Sequence, residues 1–268
     1  MTMVMIGLAA CGSNGDEDEA ADVAVAEADE SPSAGDSDAA DERVTNIDED
    51  DLAAVVGTTV TAAPLGDRGP EPSGVLNYAW NTGFSPIWFD PSQNTTSISQ
   101  YGTQYVLHDA LVKSTKGEVF TPSLAESYTI AADFTSAEFT LREGLTFHDG
   151  SPLTTEDVAF TYENYQGSGS DVLKDNLEEI EIVDDLTIRF HFNQPFLDFL
   201  VLYGSPATGA GWILPSDYYQ EVGPDGYLLA PIGAGPFKFV ENRNDTVIVY
   251  EAFEDYWRKN PGVKTLNW

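Results

Sequence analysis

A mixed α/β fold is predicted for the part of the chain that follows residue 74. Three observations predict it. Short runs with period-two apolar alternation recur, as in "LTIRFHF" at 186–192. Other runs carry apolar residues at helical spacing, as Val158, Tyr162 and Tyr165 do. The two kinds are interleaved without a strict βαβα order, and there is no internal repeat.

The chain has 268 residues, enough for one large domain or two small ones, and its apolar fraction of 42% is adequate for a core. Charge is the outlier. Asp and Glu number 45 against 12 Lys and Arg, a formal net charge of −33. A chain of that sign is repelled by nucleic acid and by anionic lipid headgroups, so nucleic acid is excluded as a partner. The charge is uneven. Residues 12–70 hold 17 acids and two Arg, and residues 12–73 hold no aromatic. Such a stretch cannot bury enough surface to offset its ordering entropy, so 12–73 is expected to be a disordered acidic tether. The single cysteine, Cys11, excludes an internal disulfide and a cysteine-based zinc cage. No run of about 18 apolar residues is present, so no spanning helix is expected.

The first eleven residues, "MTMVMIGLAAC", are apolar and small toward their end. Leu8-Ala9-Ala10-Cys11, followed by Gly12-Ser13, resembles a bacterial lipobox. Small residues before the cysteine fit a signal peptidase, and the thiol supplies the nucleophile for acylation. The expectation is a lipid on Cys11 and an anchor on the extracytoplasmic face of the membrane. One feature departs from a secretion signal: no Lys or Arg precedes Cys11, and the apolar stretch is short. Residues 1–11 are therefore read as a truncated lipoprotein signal segment.

The elements follow in order. "GVLNYAW", 74–80, is expected as a strand, and 81–102, rich in turn formers, as a loop. "QYVLHDALV", 104–112, has helical spacing. "LAESYTIAADFTSAEFTLREG" predicts two strands about a turn near Ala132-Asp133. In "LREGLTFHDGSPLTTEDVAFTYENY", 141–165, Asp149-Gly150 makes a tight turn and Thr154 an N-cap with Asp157 three residues on. A helix with the face Val158, Tyr162, Tyr165 follows. "LEEIEIVDDLTIRFHFNQP" reads as a hairpin turning at Asp184-Asp185, with Ile188, Phe190 and Phe192 inward. "WILPSDYYQEVG" predicts a turn and a short helix. "PIGAGPFKFVENRNDTVIVYEAF" predicts a Gly-Pro loop and two strands.

"FTLREGLTFHDGSPLTTEDVAFTYENY", "TPSLAESY" and "PIGAGPFKFVENRNDTVIVYEAFEDYWRKNPG" together resemble the extracellular solute-binding proteins of family 5. "FDPSQ" at 89–93 resembles that family's early Asp-Pro loop, and "FNQPFLDFL" its strand-Pro-aromatic segment. The resemblance covers roughly 74–268. It implies a type II periplasmic-binding-protein fold, with two α/β lobes joined by a hinge and ligand held between them. Mapped here, lobe I is 74–111 and 204–268, and an inserted α+β subdomain is 112–203. The second lobe is absent from this chain, which is thereby read as an N-terminal portion. The implied function is capture of short peptides or similar solutes for an ATP-binding-cassette importer, without catalysis or cofactor. The implied partners are the importer's permease subunits and the membrane.

The loop after the Asp-Pro faces the cleft in that family. Carried over, this points to Asn94, Thr95, Thr96 and Ser97, with Tyr101 as a stacking ring. The same residues also read as ordinary solvated loop positions. Trp88 and Trp212 flank loops and are read as core before cleft wall. His148-Asp149 is read as scaffold, because adjacent residues rarely aim at one atom. His108, His148 and His191 lack metal-ligand spacing, so no metal site is expected. "GAGPF" at 233–237 lacks a dinucleotide fingerprint's third glycine and reads as a loop where backbones approach closely. Two alternatives stay open: a secreted hydrolase using two carboxylates, and a surface sensor domain without transport.

Overall fold

The structure is a computed structural model that describes residues 56–79, 83–93, 95, 101–115, 118–243 and 246–268. All of these belong to one compact unit, Arg43–Trp268. The expected signal segment, its Cys11, and the expected tether up to residue 55 lie outside the described residues.

Three sheets organise the unit. The largest has the order β1-β5-β6-β8-β7 and is antiparallel throughout, with β1 Thr59–Thr61, β5 Ala125–Ile130, β6 Ser136–Leu141, β7 Leu177–Ile182 and β8 Thr187–Phe192. A four-stranded sheet has the order β2-β11-β10-β9, with β2 Val75–Asn77, β9 Phe237–Arg243, β10 Val247–Ala252 and β11 Thr265–Asn267. Its β2–β11 pair is parallel. A two-stranded ribbon joins β3 Val112–Thr115 to β4 Glu118–Pro122. The α-helices are α1 Tyr101–Leu107, α2 Thr155–Asn164, α3 Ser170–Asn176, α4 Phe199–Tyr203 and α5 Ser216–Leu229. The last is two helical pieces joined at Gly223, whose positive φ of 70° precedes Pro224.

The alternation read from the hairpin holds in space. Ile188, Phe190 and Phe192 are buried, while Arg189 and His191 line the opposite face. There Arg189 bridges Glu138 at 2.5 Å and Glu181 at 2.6 Å across neighbouring strands. The buried face receives α2 and α4. Phe199 and Tyr203, one turn apart on α4, stack at 5.1 Å and 11°, and both rings meet Phe139 and Phe190. Helix α2 starts as read. Asp157 Oδ2 accepts from the Thr154 N–H at 2.9 Å, and Val158, Tyr162 and Tyr165 are buried. Asp157 Oδ1 also accepts from the Ser216 N–H at 2.8 Å, tying the start of α2 to the start of α5. A second, smaller core of Phe89, Leu107, Ile248, Tyr250 and Leu266 underlies the four-stranded sheet.

Two expectations are corrected. The ordered chain does not wait for residue 74: Val56 bridges Ile130, and β1 pairs with β5 in the register Val60↔Tyr128. The run Thr58-Thr59-Val60-Thr61 is β-prone, and it completes an otherwise open sheet edge, which outweighs its polar setting. The helix expected across 104–112 ends at Leu107. The Leu107 carbonyl is taken by the Gly235 N–H at 3.0 Å, and Asp109 turns inward to collect donors, so the chain leaves the helix there.

Candidate functional site

The Asp-Pro turn that precedes the expected cleft loop in sequence is buried and hydrogen-bonded. Phe89 is 1% exposed and Asp90 is fully buried. Asp90 Oδ1 accepts from the Ser92 N–H at 2.9 Å and the Ser92 hydroxyl at 2.7 Å, and Oδ2 accepts from the Tyr219 hydroxyl at 2.7 Å. Asn164, at the end of α2, donates to Ser92 Oγ at 3.2 Å. Burial pushes the Asp90 carboxyl above its ordinary value, against these hydrogen bonds. Asp90 thus pins the Asp-Pro turn to α5, and its role is positional.

Of the residues expected to meet ligand, Asn94, Thr96 and Ser97 lie outside the described residues. Thr95 is exposed, and Tyr101 is the first residue of α1. Trp88 is half-buried, edge-on to Phe84 at 5.3 Å. Trp212 is fully buried, edge-on to Tyr105 at 4.9 Å, and is core.

The Phe-His-Asp-Gly turn is divided between two structural tasks. Asp149 Oδ1 accepts from the Ser151 N–H and hydroxyl at 2.9 and 2.7 Å, closing its own turn. The His148 ring instead reaches the Gly-Ala-Gly loop. Its Nδ1 accepts from the Gly233 N–H at 3.1 Å, and Nε2 donates to the Gly235 carbonyl at 3.0 Å. That pattern requires the neutral ring. Burial lowers its pKa to about 3. His108 is likewise buried, with Nε2 2.7 Å from the Phe89 carbonyl and a pKa lowered by burial to about 4. The glycines of "GAGPF" have the role of close approach. A β-carbon on Gly235 would lie 2.5 Å from the Leu107 carbonyl carbon and 2.6 Å from the His108 nitrogen.

One residue that matters was not singled out from sequence. Asp109 is fully buried and accepts from the Ala110 N–H at 2.8 Å, Lys113 Nζ at 2.6 Å, Ser123 Oγ at 2.8 Å, Tyr256 OH at 2.7 Å and Trp257 Nε1 at 3.0 Å. Burial alone would raise its pKa. Lys113, by charge and by hydrogen bond, with the hydroxyls of Tyr256 and Ser123, holds it below the ordinary value. In a chain with 45 acids, one Asp in an apolar run carries no distinguishing mark. Its partners Tyr256 and Trp257 are 147 and 148 positions away.

Among the described residues, no group of three or more His, Cys, Asp or Glu is placed to hold a metal ion. Asp90 and Asp157 are the described carboxylates whose pKa is raised, in each case chiefly by burial, and both are engaged by local structural donors.

These elements have counterparts in known proteins. The family model for bacterial extracellular solute-binding proteins, family 5 (middle region), matches residues 119–268. The chain belongs to the family 5 solute-binding proteins. Members of family 5 are binders rather than enzymes. The chain is 28% identical over 208 residues to di/tripeptide-binding protein 2 of Pseudomonas aeruginosa, covering 68% of this chain and 38% of that protein. It is 29% identical over 212 residues to the dipeptide-binding protein of Escherichia coli, covering 68% and 38%. It thus spans about two fifths of the length of the curated relatives it matches. In structure it is similar to the periplasmic binding protein DppA of Helicobacter pylori in complex with the peptide STSA: TM-score 0.60, 26% identity, covering 74% of this chain and 42% of that one. It is similar also to the oligopeptide-binding protein AppA of Bacillus subtilis in complex with a nonapeptide: TM-score 0.60, 26% identity, covering 74% and 40%. The fold is that of type II periplasmic binding proteins, of which the chain supplies part of a lobe.

Proposed function

We propose that the chain acts in a substrate-binding component of an ATP-binding-cassette importer that captures short peptides on the extracytoplasmic side of the membrane. The single observation that carries this is the family 5 match over residues 119–268, joined by relatives named for dipeptides and tripeptides. The lobe division follows the same reading: residues 74–111 and 204–268 form lobe I, and 112–203 form its inserted subdomain. Ligand would meet the segment 94–97 and Tyr101, which follow in sequence the Asp-Pro turn that Asp90 and Tyr219 hold. The lipid on Cys11 and the tether would keep the protein at the membrane.

An exposed apolar edge supports a further part of the reading. On β2, an edge strand, Val75 is 60% and Leu76 47% exposed, and Tyr78 just beyond is 49% exposed. Such an edge invites pairing and burial. It suits the seat of the additional chain that the longer relatives possess, which would complete the clamp. Capture would then proceed by closure, the ligand drawing the clamp toward the state that binds it better.

The test is uptake. Deleting the gene in its native host should abolish import of labelled di- and tripeptides, and a plasmid copy should restore it. Unchanged uptake across a peptide panel would overturn the reading. No observation favours the hydrolase, which needs two carboxylates converging in one cavity.

A further inference from the structure

After β1 the chain does not leave the surface. Residues 62–67 run without regular structure across a cavity of about 360 Å³. The arm is held at both ends: the Ala62 N–H donates to the Glu126 carbonyl at 2.8 Å, and Arg68 Nε donates to Asn260 Oδ1 at 3.1 Å. Opposite the arm lie Pro122, at the end of β4, and Trp257. Three cations complete the lining: Arg142, Arg258 and Lys259.

Three of the chain's 12 basic residues therefore meet in one cavity of a molecule with a net charge of −33. Among the described residues, none of the three is in an ion pair. Arg142 donates from Nε to the Ser123 carbonyl at 2.7 Å, and its guanidinium lies 4.6 Å from the Trp257 ring centre. Arg258 lies 5.6 Å from the same ring. The ring cannot drift, because its N–H is fixed on the buried Asp109. Two guanidiniums are thus held against one indole, where they repel each other. Burial lowers the pKa of Arg142 and Arg258 lowers it further, while Glu126 and Asp109 act in the opposite sense. An anion placed among the three cations that line the cavity would offset that repulsion and accept charge-assisted hydrogen bonds from them. One acid shares the lining, Asp67, whose Oδ1 accepts from the Gly69 N–H at 3.2 Å, so the cations outnumber it three to one; Thr121 and the apolar Ala62, Pro64, Leu65 and Pro122 make up most of the rest. The volume falls near the lower end of small-molecule sites, which span about 300–1,000 Å³.

We propose that the cavity beneath the N-terminal arm is an anion-binding site, taking the carboxylate or phosphate group of a small molecule whose remaining part rests on the arm. It shares no residue with the segment 94–101 and does not depend on the transport reading.

The experiment is calorimetry on the whole chain at fixed ionic strength with three probes: benzoate, inorganic phosphate and the neutral benzamide. The expected result is saturable one-to-one binding of an anion and none of benzamide. Tighter binding of benzoate identifies a carboxylate ligand, and tighter binding of phosphate a phosphate ligand. The double variant Arg258→Gln, Lys259→Gln should weaken the anion at least about tenfold, as expected for loss of charge-assisted hydrogen bonds. Absence of saturable binding of both anions, equal binding of benzamide, or an unchanged Kd in the variant would each overturn the proposal. Should far-UV circular dichroism show that the double variant does not fold, Lys259→Gln alone decides. Its side chain is exposed, so folding is spared, and severalfold weaker binding supports the site while an unchanged Kd removes it.

Discussion

At the scale of single residues, the buried polar groups set the strongest expectations. Asp109 holds together the turn after α1, the strand β3 through Lys113, and the Tyr256-Trp257 pair. Asp109→Asn leaves the Lys113 ammonium buried without its counter-charge. It should cost about 3–5 kcal/mol in a urea titration, the range for breaking one side of a buried pair. Gly235→Ala forces a β-carbon onto the backbone of Leu107 and His108 and should cost about 1–3 kcal/mol, seen as a lowered urea midpoint with an unchanged slope. His108 and His148 set a pH dependence. Both are held neutral when folded, with pKa values of about 4 and about 3 against 6.5 unfolded. Below pH 6.5 the unfolded chain takes up the protons first, so the stability they contribute is full above 6.5 and is lost as pH falls toward those folded values. Asp90 and Asp157, with raised folded pKa values, act in the opposite sense as acid is added. His148→Asn separates the two effects. It should lower stability at neutral pH and lose less than the parent between neutral pH and about pH 4.5. An equal loss in both proteins would show that His148 is not the titrating group.

At the scale of elements, the arm is the part that sequence patterning misplaced. It belongs to the stretch 12–73, whose overall acidity and lack of aromatics read as tether, yet β1 covers the edge of β5. Ala62→Pro removes the donor to the Glu126 carbonyl and should cost about 1 kcal/mol. It should also leave the β5 edge more open to pairing, read as concentration-dependent association in sedimentation. A variant that stays monomeric with parental stability would mean the arm is dispensable. The hairpin β7–β8 behaved otherwise, because a strict period of two with Ile188, Phe190 and Phe192 on one face admits a single burial. The end of α1 was not legible: residues 104–112 keep a helical pattern, and the helix is stopped by Gly235 from 128 positions away.

At the scale of the whole molecule, the charge and the length ratio govern behaviour. The chain carries a net charge of −33, and the excess of acids within the compact unit repels itself. Raising ionic strength from about 0.1 M to about 1 M shortens the screening length from roughly 10 Å to roughly 3 Å, so Tm should rise over that interval. A flat or falling Tm would show that self-repulsion is already balanced locally. Because the chain spans 38% of its dipeptide-binding relatives, this chain by itself should bind peptides more weakly than micromolar in calorimetry. Tight peptide binding would place the whole grip within the residues present here.

Sequence by itself determined the alternating strands, the start of α2, the absence of a Cys-based cage and the family, since each rests on local spacing or on motifs in order. Only the tertiary structure decided the extent of the arm, the end of α1, the Asp109 hub and the cation-lined cavity. Each of those joins side chains or backbone groups separated by scores of residues, and local pattern carries no record of which distant donor will arrive.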